Sequence, residues 1–160
     1  MSNPPLRSSR SSSPLRALAG LVKKASVYFH HLGMEIVDLQ PGRALIRLPF
    51  GAHLKNSSGG MHGGAIASLI DSAGGLAART LTHPSTVATV EFKVNFLTPI
   101  RRGAVLAEGR VIHKGRRTAV SEVMVRDEED RPVACGLVTL MVLQSDRRAR
   151  PDQEARGTDG

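Results

Sequence analysis

Asn56 opens the stretch NSSGGMHGGAIASLID, which ends at Asp71 and governs how the rest of the chain is interpreted. In it, four glycines surround His62 at the point where an apolar helix is predicted to begin. Glycine lets the backbone bend sharply, and the first N–H groups of a helix have no partner within the helix. With the positive end of the helix dipole, the pattern predicts a site for a carbonyl oxygen or a developing oxyanion. Taken alone, such a loop is more often a simple turn.

The predicted helix covers residues 63–80 and is rich in small side chains. Gly74 and Gly75 lie inside it, and a glycine there costs about 1 kcal/mol relative to alanine. Because these glycines and the neighbouring alanines keep the helix thin, we expect a neighbouring backbone or a flat ligand to come close to it.

Asp71 stands two turns into this helix, directly after Leu69 and Ile70. A carboxylate in apolar surroundings is costly unless it is hydrogen-bonded, and such groups are enriched at functional sites. The sequence therefore marks Asp71 as a candidate catalytic residue. Two simpler interpretations stay open, because the side chain could face solvent or pair with Arg79.

Outside this helix, the periodicity of apolar residues predicts a second helical stretch and several strands. The helical stretch begins at Pro14 and ends at Gly33, and residues 51–60 are predicted to form a polar loop. The predicted strands are 35–39, 43–49, 87–97, 104–113, 118–125 and 133–143. One long helix among strands joined by short turns indicates an α+β fold, in which a curved antiparallel sheet covers the helix.

The composition bounds the organisation of the chain. Its 160 residues suit one domain, and aromatic residues make up only 3%. We expect a basic, Ser/Pro-rich disordered extension over 1–14, one domain over 15–143 and a disordered tail over 144–160. Cys135 is the single cysteine, which excludes an intrachain disulfide and favours a reducing compartment. We therefore expect a cytoplasmic protein, although the Arg- and Ser-rich leader also resembles an organelle transit peptide.

The formal net charge of +8 raises the alternative of nucleic-acid binding. One basic group lies in the leader, and a second lies between residues 101 and 117, where only Glu108 opposes it. Four Phe and one Tyr offer little surface for base stacking, and no recognition motif is present. We therefore expect no nucleic-acid partner. No stretch approaches the roughly 18 apolar residues that a membrane span requires, so no membrane partner is expected either.

The motif N-x-x-G-x-x-H-G-G, followed by a helical aspartate, resembles the hot-dog-fold acyl-CoA thioesterases of the phenylacetyl-CoA type. The matching positions are Asn56, Gly59, His62, Gly63, Gly64 and Asp71. The likeness extends over residues 30–143, including the strand that ends in Asn95-Phe96-Leu97-Thr98-Pro99. The resemblance implies a long helix wrapped by a curved sheet, with active sites at the interface of a dimer that often forms tetramers. It implies an acyl-CoA substrate, with no metal and no cofactor other than the coenzyme A of the substrate.

The resemblance also implies a role for each residue of the site. The N–H of Gly63 would polarise the thioester carbonyl, and Asp71 of the partner subunit would act as general base or as nucleophile. Asn56 would position the carbonyl or the water, and His62 would orient the loop or contact the substrate. Thr89 occupies the place of a hydroxyl that holds the water, although a structural strand threonine is an equal alternative.

Further residues are candidates for substrate binding. Gly64 and Met61 adjoin the motif, and the second basic group could meet the phosphates of coenzyme A, because arginine binds phosphate through forked donors. The candidates in that group are Arg101, Arg102, Lys114, Gly115, Arg116 and Arg117. The acyl group is left open, with a pocket expected to be lined by residues such as Phe50, Leu54, Met61, Leu69 and Phe96.

Two alternatives within the same fold remain at this point. One is a non-hydrolytic protein that binds acyl-CoA or another small ligand. The other is a hot-dog dehydratase, since those enzymes also use a helical carboxylate with a histidine. The paired glycines resemble the thioesterases more closely.

Overall fold

The computed structural model describes residues 13–143. The predictions of a disordered extension and a disordered tail fall outside these residues, apart from the last positions of the extension. The helices are α1 (Ser13–Ala25), α2 (Val27–His31) and α3 (Gly63–Thr82), with a 3-10 turn at Ala52–Leu54. The strands are β1 (Glu35–Gln40), β2 (Arg43–Pro49), β3 (Thr86–Phe96), β4 (Ala104–Lys114), β5 (Thr118–Asp127) and β6 (Pro132–Leu143).

The six strands form one sheet in the order β1-β2-β4-β5-β6-β3, and every pair of neighbours is antiparallel. Helix α3 packs across this sheet, and its buried side chains join those of the strands in a single core of mainly aliphatic residues. The predicted α+β architecture, a long helix covered by an antiparallel sheet, is confirmed. In the part of the chain that the structure describes, no helix has the length and apolarity needed to cross a membrane.

The thin helix allows a very close approach to the sheet. A Cβ atom on Gly74 would lie 2.7 Å from Val138 Cγ2, and one on Gly109 of β4 would collide with the backbone of Ala73. Ser121, fully buried on β5, donates a 3.0 Å hydrogen bond to the carbonyl of Gly74. The prediction of a thin helix against a neighbouring backbone is therefore confirmed for the side of α3 that faces the sheet.

The N-terminal segment differs from the single helical stretch predicted from Pro14 to Gly33. The chain forms two helices that are separated at Ser26, whose hydroxyl caps α2 by accepting a 3.3 Å hydrogen bond from Phe29 N. Serine favours such caps over helix interiors because its hydroxyl competes for backbone donors. Leu15 and Leu18 anchor α1 in the core. The apolar periodicity was therefore interpreted correctly as helical, and only the prediction of one continuous helix was wrong.

Strand β3 forms one edge of the sheet and is exposed along almost its whole length. Its exposed apolar side chains include Val90, Phe92 and Phe96, with exposed fractions of 60%, 40% and 56%. A long apolar edge strand presents unpaired backbone groups as well as apolar surface, and is therefore prone to pair with another strand.

Candidate active site

The loop before α3 is held in shape by Asn56. Its Oδ1 accepts hydrogen bonds of 3.0 Å from both Ser58 N and Gly60 N, and its backbone N–H donates to Gly60 O at 2.8 Å. Two backbone donors facing one atom identify that atom as the amide oxygen. Because Oδ1 is occupied in this way, Asn56 can serve a ligand only through the donors of Nδ2, which take part in none of the described hydrogen bonds.

His62 is the N-cap of α3, and its Nδ1 accepts a 2.8 Å hydrogen bond from Gly64 N. Accepting this bond places the ring proton of the neutral imidazole on Nε2, which is then free to donate. The carbonyl of His62 accepts from the N–H groups of Ala65 and Ile66. Of the first four donors of the helix, only Gly63 N–H is left without a partner in the described chain. The sequence had singled out both Gly63 and Gly64. Because His62 caps the N–H of Gly64, only the N–H of Gly63 remains available.

Asp71 and Thr89 are brought together from α3 and β3. The hydroxyl of Thr89 donates a 2.7 Å hydrogen bond to Asp71 Oδ1, which leaves Oδ2 without a described partner. Asp71 is half-buried, less enclosed than its apolar neighbours Leu69 and Ile70. No ion pair joins it to Arg79 within residues 13–143, so one of the simpler interpretations of Asp71 is wrong.

A cavity of about 570 Å³ opens beside this pair. Asp71, Thr89 and Gly75 contribute to its wall, and the N-terminal helices close one side through Val22, Ser26 and Phe29. Gly75 therefore faces this cavity, whereas Gly74 faces the sheet. The thin helix thus serves both the close packing of the sheet and the open space next to the carboxylate.

Gly63 and Asp71 lie apart within one chain. Eight residues of α-helix separate their Cα atoms by roughly 12 Å along the axis, and no single carbonyl group can contact both the N–H and the carboxylate over that distance. The ring of Phe96, at the end of β3, covers Gly63 at 3.2 Å from its Cβ position, whereas Thr89 lies near the start of the same strand. One chain therefore carries Gly63 and Asp71 toward opposite ends of β3.

The predicted phosphate-binding residues are also divided between two places. Arg101 and Arg102 precede β4, and Arg101 donates a 3.2 Å hydrogen bond to the carbonyl of Ser58 in the loop before α3. The turn from Lys114 to Arg117 follows the same strand. The two groups are separated by its full length, roughly 35 Å for eleven extended residues.

All five charged side chains predicted to bind phosphate are exposed. Gly115, half-buried in the turn, donates its N–H to Thr118 O at 2.8 Å. Arg110, which belonged to the same basic group in the sequence, pairs with Glu108 at 2.6 Å.

Three residues expected around the acyl group lie in the core. Leu54, Met61 and Leu69 are 3%, 5% and 0% exposed, and Met61 is further fixed by a 2.7 Å hydrogen bond from its N–H to Ile100 O. Within one chain these side chains support the loop and the helix rather than line the cavity. The direct contact of Met61 with substrate stays a prediction.

Sequence reasoning missed the contributions of Ser26 and Arg79 to the wall of the cavity. Arg79 stands eight residues after Asp71, about two turns along and about 80° around an α-helix, which is within the width of one helix face. This spacing was the available signal. Nothing in the sequence indicated that the N-terminal helices would close the cavity, since their placement is a tertiary contact.

Comparison with known proteins identifies the family. The sequence profile of the thioesterase superfamily matches residues 58–134. A Saccharolobus solfataricus protein with a provisional esterase name is 33% identical over 137 residues, which cover 86% of this chain and 98% of that protein. The 1,4-dihydroxy-2-naphthoyl-CoA hydrolase of Listeria monocytogenes is 29% identical over 112 residues, covering 69% and 91% of the two chains.

The solved structure of E. coli PaaI, from the phenylacetic acid degradation operon, superimposes with a TM-score of 0.79 at 21% identity and covers 84% of this chain and 96% of that one. At 21% identity, this structural similarity establishes the fold alone. The chain belongs to the thioesterase superfamily and has the hot-dog fold. Its relatives carry hydrolase names, in agreement with a hydrolase that acts on an ester or thioester bond.

Proposed function

We propose that the protein hydrolyses an acyl-CoA thioester to the free acid and coenzyme A. One observation carries this conclusion: Asp71 is oriented by Thr89 through one oxygen and presents the other beside a cavity large enough for an acyl group. A positioned carboxylate of this kind is what general-base or nucleophilic catalysis requires. The name of the Listeria monocytogenes relative supports a coenzyme A thioester as the substrate class.

In the general-base route, Asp71 Oδ2 accepts a proton from a water molecule as the water oxygen attacks the thioester carbon. The carbonyl oxygen becomes an oxyanion, which collapses with cleavage of the carbon–sulfur bond, and the thiolate of coenzyme A takes up the proton. In the nucleophilic route, Asp71 itself attacks the carbon and expels the thiolate. Water then hydrolyses the resulting anhydride, which restores the carboxylate.

The oxyanion would be stabilised by Gly63 N–H, the uncommitted donor at the positive end of α3. Because Gly63 and Asp71 of one chain are too far apart, the two groups must come from different subunits. Pairing β3 with β3 of a second copy about a two-fold axis would place the Gly63 end of one chain beside the Asp71 end of the other. The exposed apolar edge of β3 supports this arrangement. We therefore propose a homodimer as the minimal unit, which could assemble further into a tetramer.

The same two-fold pairing would reunite the separated basic residues. Arg101 and Arg102 follow the end of β3, whereas the turn that ends at Arg117 adjoins its start, because Arg117 O accepts from Val142 N and Val142 pairs with Val87. In an antiparallel dimer, the arginines of one chain approach the turn of the other. We propose that the two groups together bind the phosphates of coenzyme A.

Asn56 and His62 complete the proposed site as donors. The Nδ2 of Asn56 can donate to the thioester carbonyl or to the attacking water, and the Nε2–H of His62 can donate to the substrate. Gly64, whose own N–H is bound by His62, contributes by leaving room for the His62 ring, which a Cβ atom on Gly64 would meet at 2.9 Å. We propose a cytoplasmic location, which the single cysteine favours.

The proposal is tested with the Asp71→Asn variant, which preserves the shape of the side chain and can still accept the hydrogen bond from Thr89. Thiol release from a panel of aryl-, short- and long-chain acyl-CoA thioesters is followed with a thiol reagent. We expect the variant to lose activity by about a hundredfold or more, with the oligomer and the thermal unfolding temperature retained.

Unchanged turnover in Asp71→Asn would exclude this mechanism. If the unaltered protein is thermally stabilised by acyl-CoA thioesters but releases no thiol from any of them, the protein is a binding module instead of an enzyme.

A further inference from the structure

Arg79 lies in the wall of the same cavity as Asp71 and has no counter-charge among the residues that the structure describes. Its Nε is buried and has no hydrogen-bond partner, and none of the ion pairs between residues 13 and 143 involves it. A guanidinium stays charged at every physiological pH, and a buried donor without an acceptor is costly. The described chain offers no explanation for this cost.

The composition of the cavity wall indicates what is missing. Among the residues that the structure describes, Asp71 is the one acidic residue that contributes to it, and Arg79 is the one basic residue. They are separated by two turns of α3, roughly 12 Å along the axis. Between them the wall is formed mainly by Gly75, Leu76 and, from the sheet, Leu140. The cavity thus runs from a carboxylate, past an apolar middle, to an unpaired cation.

The direction of the Arg79 side chain reinforces this arrangement. Side chains on an α-helix lean toward its N-terminus, so Arg79 reaches back along α3 toward Gly75 and Asp71. Because arginine is much longer than aspartate, this lean shortens the axial distance of roughly 12 Å between the two positions, and a short acyl chain fits between the two charged groups. The N-terminal helices contribute Val22, Ser26 and Phe29 to the wall, and none of these supplies an acid.

We infer that the acyl group of the substrate carries a carboxylate at the end remote from the thioester, and that Arg79 binds it. This inference rests on the proposed function, because it places the thioester carbonyl at Asp71. A carboxylate fits Arg79 better than a neutral group does, since the forked guanidinium donors match its two oxygens and its charge offsets that of the arginine. Arg79 is then the residue that selects ω-carboxyacyl-CoA over acyl-CoA of equal length with a methyl end.

The test compares adipyl-CoA with hexanoyl-CoA, which have equal chain length and differ in the terminal group. The kcat/KM ratio for the two substrates is measured in the unaltered protein, in Arg79→Gln, in Arg79→Lys and in the matched control Arg126→Gln. Arg126 is exposed on β5 and does not contribute to the cavity wall. We expect the unaltered protein to prefer adipyl-CoA, and we expect Arg79→Gln to lower the ratio at least about tenfold, because a buried charged hydrogen bond is lost. Arg79→Lys should keep part of the preference, and Arg126→Gln should keep all of it.

Binding to a hydrolytically impaired protein separates this inference from the proposed function. Calorimetry with the Asp71→Asn variant should show tighter binding of adipyl-CoA than of hexanoyl-CoA, and the double variant with Arg79→Gln should lose that difference. If no thioester is hydrolysed but this binding difference is found, the proposed function fails and the carboxylate site stands.

If both thioesters are hydrolysed with a ratio that Arg79→Gln leaves unchanged, the inference is overturned and the proposed function stands. An Arg79→Gln variant that unfolds at lower temperature with the ratio unchanged would assign Arg79 to an ion pair with a second subunit or with residues outside 13–143. That outcome also overturns the inference.

Discussion

The hydroxyl of Thr89 donates a 2.7 Å hydrogen bond to Asp71 Oδ1, joining the middle of α3 to the edge strand β3. The hydroxyl has one proton, and this bond uses it. Thr89 can therefore fix the carboxylate directly and can offer only its lone pairs to a water molecule. Its place beside Asp71 favours the functional interpretation of Thr89 over that of a structural strand residue.

Replacing Thr89 by valine should lower kcat by about tenfold to a hundredfold, because a freely rotating carboxylate leaves the productive geometry. Valine keeps the shape of threonine and its preference for strands, so folding should be retained. Thr89→Ser should recover most of the activity, since it restores the hydroxyl. The measurement is steady-state thiol release, with KM changing much less than kcat. Equal activity in Thr89→Val and Thr89→Ser would show that the hydroxyl has no role in positioning.

The role of Gly63 N–H can be tested by removing that one donor. Proline is well tolerated at the first position of a helix, where it lacks only a hydrogen that the helix does not use. His62, which precedes it, has an extended backbone with φ −63° and ψ 135°, a conformation that a following proline accepts. We expect Gly63→Pro to lower kcat by about a hundredfold to a thousandfold, as loss of an oxyanion donor does.

Gly63→Ala is the matched control for this substitution. Both variants add a Cβ atom at 3.2 Å from the ring of Phe96, but alanine keeps the N–H. A large loss in Gly63→Ala as well would assign the defect to the displaced ring and would count against the proposed oxyanion site. Circular dichroism of both variants should show the same helix content.

Local sequence patterns predicted the helix start and its embedded carboxylate, whereas the expectation that two subunits share the site came only from the family resemblance. The motif from Asn56 to Asp71 indicated a helix start with an embedded carboxylate, because a glycine-rich turn before a helix is local and leaves a local pattern. The sequence singled out the N–H of Gly63, but the reason that the N–H of Gly64 is unavailable lies in the ring orientation of His62, which no pattern encodes. The separation of Arg101 from Lys114 follows from the length of β4, which was predicted within one residue. That these residues of one chain therefore lie too far apart to bind the same phosphates follows only from the extended conformation of β4.

Charging the edge strand should dissociate the proposed dimer. Val90 on β3 is 60% exposed, and Val37 on β1, at the opposite edge of the sheet, is 52% exposed. We expect Val90→Lys to shift the protein to the mass of a monomer in analytical ultracentrifugation and to abolish thiol release, because two lysines would meet near the two-fold axis. Val37→Lys should leave the assembly state and the activity unchanged. A Val90→Lys protein that remains dimeric would place the interface elsewhere.

The two adjacent glycines of α3 should respond in opposite ways to alanine. A Cβ atom on Gly74 meets Val138 Cγ2 at 2.7 Å, and we expect a cost of about 1–3 kcal/mol, only partly offset by the better helix propensity of alanine. On Gly75 the nearest atom is Leu140 Cδ2 at 3.8 Å, an ordinary contact. Gly75→Ala should therefore raise the free energy of unfolding by up to about 1 kcal/mol. Chemical denaturation measures both, and equal effects would contradict the assignment of the two faces.

Acid should destabilise the protein partly through Asp127, at the turn between β5 and β6. Burial acts to raise the pKa of this carboxyl, but hydrogen bonds from Arg131 and from Glu129 N, with the charge of Arg131, together hold the pKa below its ordinary value of 3.8. Asp127 Oδ1 accepts from Arg131 N at 2.9 Å and Oδ2 from Arg131 Nε at 2.7 Å. Because the pKa is lower in the folded state than in the unfolded state, the carboxylate stabilises the fold above the unfolded-state pKa, and this contribution is lost as the pH falls through the folded-state pKa.

Asp127→Asn should therefore reduce the free energy of unfolding at neutral pH, and its difference from the unaltered protein should shrink as the pH falls below about 4. The control is Asp130→Asn in the same turn, where the side chain is 83% exposed and the positive φ of 62° suits asparagine. This control should keep the pH dependence of the unaltered protein. Urea denaturation between neutral pH and about pH 3 measures all three proteins. A constant difference between Asp127→Asn and the unaltered protein over that range would mean that the Asp127 carboxylate is not the titrating group.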